Sequence, residues 1–149
     1  MLPMKQLKIS PIDDRLCFTL YSTSQAIIKN YRPFLQKMKM TYSQYLVYIV
    51  LYEQGELTVN ALGKYLHLDS GTLTPLLKRM EVQQRIVRVR SQQDERKVLV
   101  KLTDEALELA PDIADMQSKV ACSTKLDQAQ FNTLLGQLKK LNTTLRIKS

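Results

Sequence analysis

Apolar and polar positions recur with a helical period over most of the chain and with a period of two in one short region. Leu16, Leu20, Ile27, Tyr31 and Phe34 form one apolar stripe. Ahead of them Ser10-Pro11-Ile12-Asp13 offers a capping hydroxyl, a proline at the first helical position and an acid in the first turn. The spacing therefore predicts a helix opening at Ser10, with Pro33 bending or ending it near residue 32. Thr41-Tyr42-Ser43-Gln44 is a second capping box, and it predicts a helix through Tyr45, Leu46, Ile49 and Tyr52 that stops near Gly55. Glu56-Leu57 reads as a short extended connector. Thr58 caps a third helix with Leu62 and Leu66 inward and Gly63 at a close approach. A turn at Asp69 to Gly71 leads into a fourth, carrying Leu73, Leu76, Leu77 and Met80. The runs IVRVR at 86–90 and KVLVKL at 97–102 alternate, with Val87 and Val89 on one face and Arg88 and Arg90 on the other, so they predict a two-stranded ribbon joined by SQQDER. Thr103-Asp104-Glu105 starts a long helix that Pro111 should kink, and Asp127 to Gln130 cap a last one.

Helix, short turn, helix and ribbon in this order is the winged helix-turn-helix plan, so the expected fold class is mainly α (α+β) in one domain spanning 1–149. Composition narrows the classes further: 44% hydrophobic and 24% charged is ordinary for a folded chain. No apolar run approaches the roughly 18 residues a membrane helix needs, and the start MLPMKQLKIS lacks the apolar stretch of a signal peptide. The expectation is a cytoplasmic protein with no membrane partner. Two cysteines and one histidine do not make an ordinary four-ligand zinc site. No metal and no other cofactor is expected, and His67 reads as a structural or phosphate-side residue.

The net charge of +8 is concentrated. Residues 64–101 hold nine basic side chains against four acids, the footprint of a surface that meets a polyanion. The fourth helix begins with Ser70, Gly71, Thr72 and Thr74, small residues that let a backbone approach base edges, and its first-turn amides suit a phosphate. Lys78 and Arg79 follow one turn later, in reach of phosphates or guanine edges. Arg88, Arg90 and Lys97 line the ribbon. Its tip presents Arg96 for a minor groove, with Asp94 or Glu95 placed to orient the guanidinium. These features predict a partner of double-stranded DNA.

LDSGTLTPLLKRME followed by VRVRSQQDERKVLVKLT resembles the DNA-binding core of the MarR family, including its Asp-x-Arg wing tip at Asp94 to Arg96. RLCFTLYSTSQ, with the tyrosines at 31 and 42, resembles more narrowly the organic hydroperoxide resistance regulators (OhrR) of two-cysteine type. The resemblance implies a homodimeric repressor on a palindromic operator, with 10–40 and 103–149 as dimerisation helices around a DNA-binding region at 41–102, released when an organic hydroperoxide arrives. It implies no enzyme. Cys17 is then the sensing thiol, Tyr31 and Tyr42 bond its sulfur, and Tyr21 packs over it. Cys122 is the resolving thiol, expected to bridge to Cys17 of the other chain.

The residues pose a difficulty of their own. Counted from Ser10, Cys17 lies seven positions into its helix, past the turn where the dipole favours an anion, with Asp13 and Asp14 one turn behind it. A reactive thiolate there needs donors from elsewhere in the fold. Two other readings follow from the same residues: a MarR-type regulator gated by a phenolic or lipophilic ligand in a dimer cleft, with Cys17 a core residue, or a thiol peroxidase. The second lacks a thioredoxin-like strand pattern or a Cys-x-x-Cys.

Overall fold

The computed structural model describes residues 9–147; the stretch 1–8, read above for a leader, lies outside the described residues. The chain is mostly helical with one small sheet. A 3-10 turn at Ile12–Asp14 precedes α1 (Leu16–Lys37), α2 (Tyr42–Gln54), β1 (Glu56–Thr58), α3 (Val59–Leu66), α4 (Ser70–Val82), β2 (Ile86–Arg90), β3 (Val98–Leu102), α5 (Asp104–Leu107), α6 (Ala110–Ser123) and α7 (Gln128–Arg146). Two compact units result, one through Leu107 and one from Glu108 onward.

The first unit is built around α2. Thr41 Oγ1 accepts from the Gln44 amide at 3.2 Å while the Gln44 side chain accepts from the Thr41 amide at 2.9 Å, the reciprocal cap that the sequence predicts. The helix ends at Gly55, whose φ of 81° is a left-handed conformation in which a side chain would be strained. Val47, Tyr48 and Leu51 of α2 are buried together with Leu62 of α3, Leu73, Leu77 and Met80 of α4, and Ile86 and Val100 of the sheet. Gly63 is required where α3 meets the turn after it: a Cβ there would sit 2.7 Å from the Leu68 carbonyl oxygen. His67 closes α3 in the left-handed region at φ 54°.

Four expectations are corrected. Ser10 does not cap α1: Pro11 precedes the 3-10 turn, Arg15 is extended, and α1 starts at Leu16. Pro33 does not end the helix, which runs on to Lys37. The ribbon has a third member, because Glu56 to Thr58 pair antiparallel with Lys101 to Leu99 to give the order β1-β3-β2. The long helix after Thr103 is two: Thr103 Oγ1 accepts from the Ala106 amide at 3.0 Å to start α5, and Pro111 stands at the opening of α6 rather than inside a kinked helix. A proline lacks the amide that an interior position needs, so the chain breaks and restarts around it.

In the second unit α6 buries Ile113, Met116 and Val120. Asp127 and Gln130 form a reciprocal cap on α7, at 2.8 and 3.0 Å, as the sequence predicts. None of the described side chains of α7 is buried, and Phe131, Leu134, Leu135 and Leu145 are exposed.

Candidate nucleic-acid interface and thiol sites

Asp69 caps α4 by accepting from the Thr72 amide at 2.7 Å, and this bond, with a second from the Thr72 hydroxyl, holds its carboxyl below the ordinary carboxylate range. With Leu73, Leu77 and Met80 turned into the core, the opposite side of α4 is exposed. Ser70, Thr74 and Lys78 follow one another at intervals of four, and Gly71, Pro75 and Arg79 run beside them. Thr72 is exposed as well, so the predicted polar residues of this helix share one accessible surface.

The sheet places its faces by register. Arg88 pairs with Val100 and Arg90 with Val98, so both arginines share the face on which Ile86, Val100 and Leu102 are buried. Val87 and Val89, paired with Lys101 and Leu99, point the other way. Arg88 therefore leans towards α4, where its Nε meets Glu81 Oε2 at 3.2 Å. Sequence reasoning missed Glu81; its place near the end of the same basic helix, seven positions before Arg88, was the available signal.

The wing tip is a constructed turn. Ser91 donates its amide to the Lys97 carbonyl at 2.9 Å, and Lys97 donates to the Asp94 carbonyl at 2.9 Å. The Ser91 hydroxyl accepts from the amides of Gln93 and Asp94. The Asp94 carboxylate accepts from the Arg96 backbone amide at 3.1 Å. It thus fixes the loop backbone, where the sequence suggested a grip on the guanidinium, and Arg96 and Lys97 stand exposed.

Both cysteines are free thiols and exposed, Cys17 in the first unit and Cys122 in the second. Cys17 is the second residue of α1, and Arg15 gives that helix no side-chain cap. The first turn-closing bond is from the Thr19 amide to the Arg15 carbonyl, so the amides of Leu16, Cys17 and Phe18 lie ahead of the ladder. That is the end at which peptide dipoles favour negative charge. The sequence expectation is reversed: Cys17 occupies the first turn instead of lying beyond it, and Asp13 and Asp14 belong to the preceding 3-10 turn. Around Cys17 the helix is uncovered, with Leu16 62%, Phe18 38% and Tyr21 61% exposed. Tyr21 Oη accepts from Gln25 Nε2 at 3.0 Å.

Tyr31 and Tyr42 are brought together, with ring centroids 5.4 Å apart. Tyr45, which the sequence places only on the second helix, completes a triad at 5.3 Å from Tyr31 and 5.8 Å from Tyr42. The i, i+3 spacing of Tyr42 and Tyr45 was legible; their meeting with Tyr31 depends on how α1 packs on α2. Burial and the adjacent Tyr45 push the Tyr31 phenol well above its ordinary range, and Tyr42 is raised by the same two causes. Both are therefore neutral O–H donors at physiological pH. Within one chain they do not meet Cys17: fourteen residues of α1 separate Cys17 from Tyr31, about 21 Å of helical rise.

No helix among the described residues is long and apolar enough to cross a membrane. The family model for the transcriptional regulator SarA/Rot matches residues 29–113. The organic hydroperoxide resistance transcriptional regulator of Bacillus subtilis is 41% identical over 93% of this chain and 94% of its own length. Reduced AbfR bound to DNA, a protein of Staphylococcus epidermidis, superposes with a TM-score of 0.72 at 31% identity, covering 90% of this chain and 94% of that one. Disulfide-formed AbfR does so with a TM-score of 0.64 at 32% identity, covering 93% of each.

Proposed function

Because this chain belongs to the SarA/Rot family of winged-helix transcriptional regulators, with an organic hydroperoxide resistance regulator among its relatives, we propose that it is a dimeric, peroxide-sensing repressor. The observation that carries this reading is Cys17, exposed in the uncapped first turn of an apolar helix face.

The chain forms one functional domain in which 41–102 binds DNA and the helices within 10–40 and 103–149 dimerise. The uncovered side chains of α1 and α7 support this, since apolar surface of that kind is normally buried against a partner. Ser70, Gly71, Thr72 and Thr74 enter the major groove of a palindromic operator, with Lys78, Arg79, Arg90 and Lys97 on phosphates and Arg96 in the minor groove. Arg88 contributes charge beside Glu81. Two such units must stand about 34 Å apart, one helical turn of the duplex, so a modest rotation of one against the other breaks the register. A cytoplasmic location follows from this role.

The sensing step is a two-electron oxidation. The Cys17 thiolate attacks the outer oxygen of an organic hydroperoxide; the O–O bond breaks, the peroxide leaves as an alcohol, and the sulfur becomes a sulfenic acid. A Cys122 thiol then displaces hydroxide as water, and an S–S bond forms. The phenols that steady the thiolate are Tyr31 and Tyr42 of the partner subunit, since helical rise keeps a chain's own Tyr31 from its Cys17. The likeness to a disulfide-formed AbfR supports the covalent step.

The test measures operator affinity of the reduced protein before and after one equivalent of cumene hydroperoxide, with mass spectrometry under non-reducing conditions. The expected result is a covalent dimer and about a hundredfold loss of affinity, a change of about 2.7 kcal/mol. Unchanged binding rejects the switch.

A further inference from the structure

We infer that the outer face of the sheet, between the wing loop and the start of α3, binds the sugar-phosphate backbone of duplex DNA that flanks the operator. The inference rests on the repressor reading and adds to it a contact outside the half-site. Register sorts the two faces of the sheet. Ile86, Val100 and Leu102 are buried on the inner face, which packs on α2 and α4. On the outer face Glu56, Lys101 and Val87 form one cross-strand row, and Thr58, Leu99 and Val89 form the next. The outer face therefore looks away from α4, and the bases that α4 reads do not lie against it. Only duplex that runs on past the wing reaches this face.

The face is hollowed into a cleft of about 690 Å³. Three cations, Arg90, Lys97 and Lys101, line it against one acid, Glu56, a net of two positive charges (three minus one). Gln92 and Gln93 add exposed amide donors. Val89 and Leu99, both half-buried, give it an apolar patch. A nucleic-acid backbone offers phosphates to the cations and sugar faces to the patch. An acidic protein segment would meet the same charges, but continuity favours DNA. Arg90 and Lys97 belong both to this cleft and to the wing, so a duplex held by the wing already passes its rim.

The cleft is built before any partner arrives. On one side the Ser91 amide donates to the Lys97 carbonyl at 2.9 Å and closes the wing loop. On the other, Thr58 Oγ1 accepts from the Ala61 amide at 3.1 Å and fixes the first turn of α3, the end at which the peptide dipoles favour an anion. Lys101, exposed on the central strand and in no ion pair among the described residues, belongs to this face alone. Phosphate contacts carry no sequence information, so the affinity they add is independent of the flanking bases and falls steeply with salt.

The test titrates the full, reduced protein by fluorescence anisotropy with an operator selected from randomised duplexes. One duplex is trimmed to the selected bases and a few flanking pairs; the other is extended at each end by about ten base pairs of arbitrary sequence, one helical turn. The readout is the ratio of long to short affinity in each protein. The unsubstituted protein is expected to bind the long duplex about tenfold tighter, with a salt slope steeper by about two, one phosphate for each Lys101 of a dimer. Lys101→Gln is expected to reduce the ratio to about two, and Glu56→Gln, which removes the opposing acid, to raise it about twofold. Circular dichroism checks both folds, and the opposite signs keep the test decisive if one variant fails to fold. A ratio near one in the unsubstituted protein, a ratio that Lys101→Gln leaves unchanged, or a lower ratio in Glu56→Gln overturns the inference, while binding of the short duplex leaves the repressor reading standing. A ratio near one with saturable binding of an alternating Glu-Leu peptide overturns it in favour of a protein partner. Failure to select any duplex sinks the repressor reading, and this inference with it.

Discussion

The α4–wing region and the N-terminal half of α1 are both exposed, yet they differ in how much of their structure is complete within one chain. On α4, Leu73, Leu77 and Met80 are fully buried, the start is capped by Asp69, and Arg88 on the wing is tied back to Glu81. From Leu16 to Ile27, α1 carries large apolar side chains that stay uncovered, and its start has no side-chain cap. A DNA-reading surface has to be rigid before it meets its target, because contacts made by a loose element must first offset the entropy of ordering it. A sensing thiol requires an environment that changes when it reacts. In their proposed roles the two regions follow those different demands.

The sharpest way to break this comparison is to remove one leucine from each. Leu77 is 0% exposed, and Leu77→Ala should cost about 3 kcal/mol of unfolding free energy through lost burial and the cavity left behind. Leu16 is 62% exposed, so Leu16→Ala should change the stability of a single chain by no more than about 0.5 kcal/mol while weakening self-association. Urea denaturation with sedimentation at several protein concentrations separates the two effects. Equal losses of unfolding free energy would show that the α1 face is no less finished than the α4 face.

Next in size is the response to peroxide. Cys17→Ser should abolish the roughly hundredfold loss of operator affinity that the proposed switch gives the unsubstituted protein on treatment with an organic hydroperoxide. If the variant still releases DNA on oxidation, the thiol in the first turn of α1 is not the sensor, and a ligand acting in a cleft becomes the better account.

How far the sequence revealed this division depends on the range of each interaction. The caps at Thr41, Thr58 and Asp127 were legible because donor and acceptor lie three residues apart. The same pattern at Ser10 misled, since a cap worth about 1 kcal/mol cannot hold a turn that buries nothing: Ile12 is 60% exposed, and the first turn-closing bonds make a 3-10 turn. Strand β1 was read only as an extended connector at Glu56-Leu57, because three residues show no period and its place in the sheet comes from pairing with Lys101 to Leu99 far along the chain. The polar surface of α4 was legible from composition alone. Tyr31 and Tyr42 were singled out only as donors to the Cys17 sulfur, so their cluster with Tyr45 was not read, and the error over Ser10 carried directly into the site by placing Cys17 a full turn too deep.

The tyrosines supply a pH test of the region proposed to sense peroxide. The folded chain holds the Tyr31 and Tyr42 phenol protons more tightly than the ordinary value of 10.0. Above about pH 10 the unfolded chain releases those protons first, so it binds fewer protons than the folded one and stability falls as pH rises. Below that pH both states are protonated and the pair contributes no slope. Tyr31→Phe with Tyr42→Phe should therefore flatten the decline in urea midpoint between pH 9.5 and 11. Parallel profiles for the two proteins would mean that the phenols are as well solvated as in the unfolded chain.

The smallest effect discriminates most finely within the DNA-reading region. Glu81 and Arg88 are partly exposed, so their ion pair is worth only about 0.2–1 kcal/mol, and Glu81→Gln should lower unfolding free energy by no more than that. Its effect on operator affinity has an informative sign. If Arg88 supplies charge to the duplex, removing Glu81 frees the guanidinium and takes an acid away from the phosphates, and affinity rises about twofold to fivefold with a steeper salt dependence. If the pair acts instead as a strut that sets the angle between wing and helix, affinity falls and the salt slope stays where it was. The exposed placement of Arg90, Arg96 and Lys97, which leaves the wing well charged without Arg88, sets the expected rise at the lower end of that range.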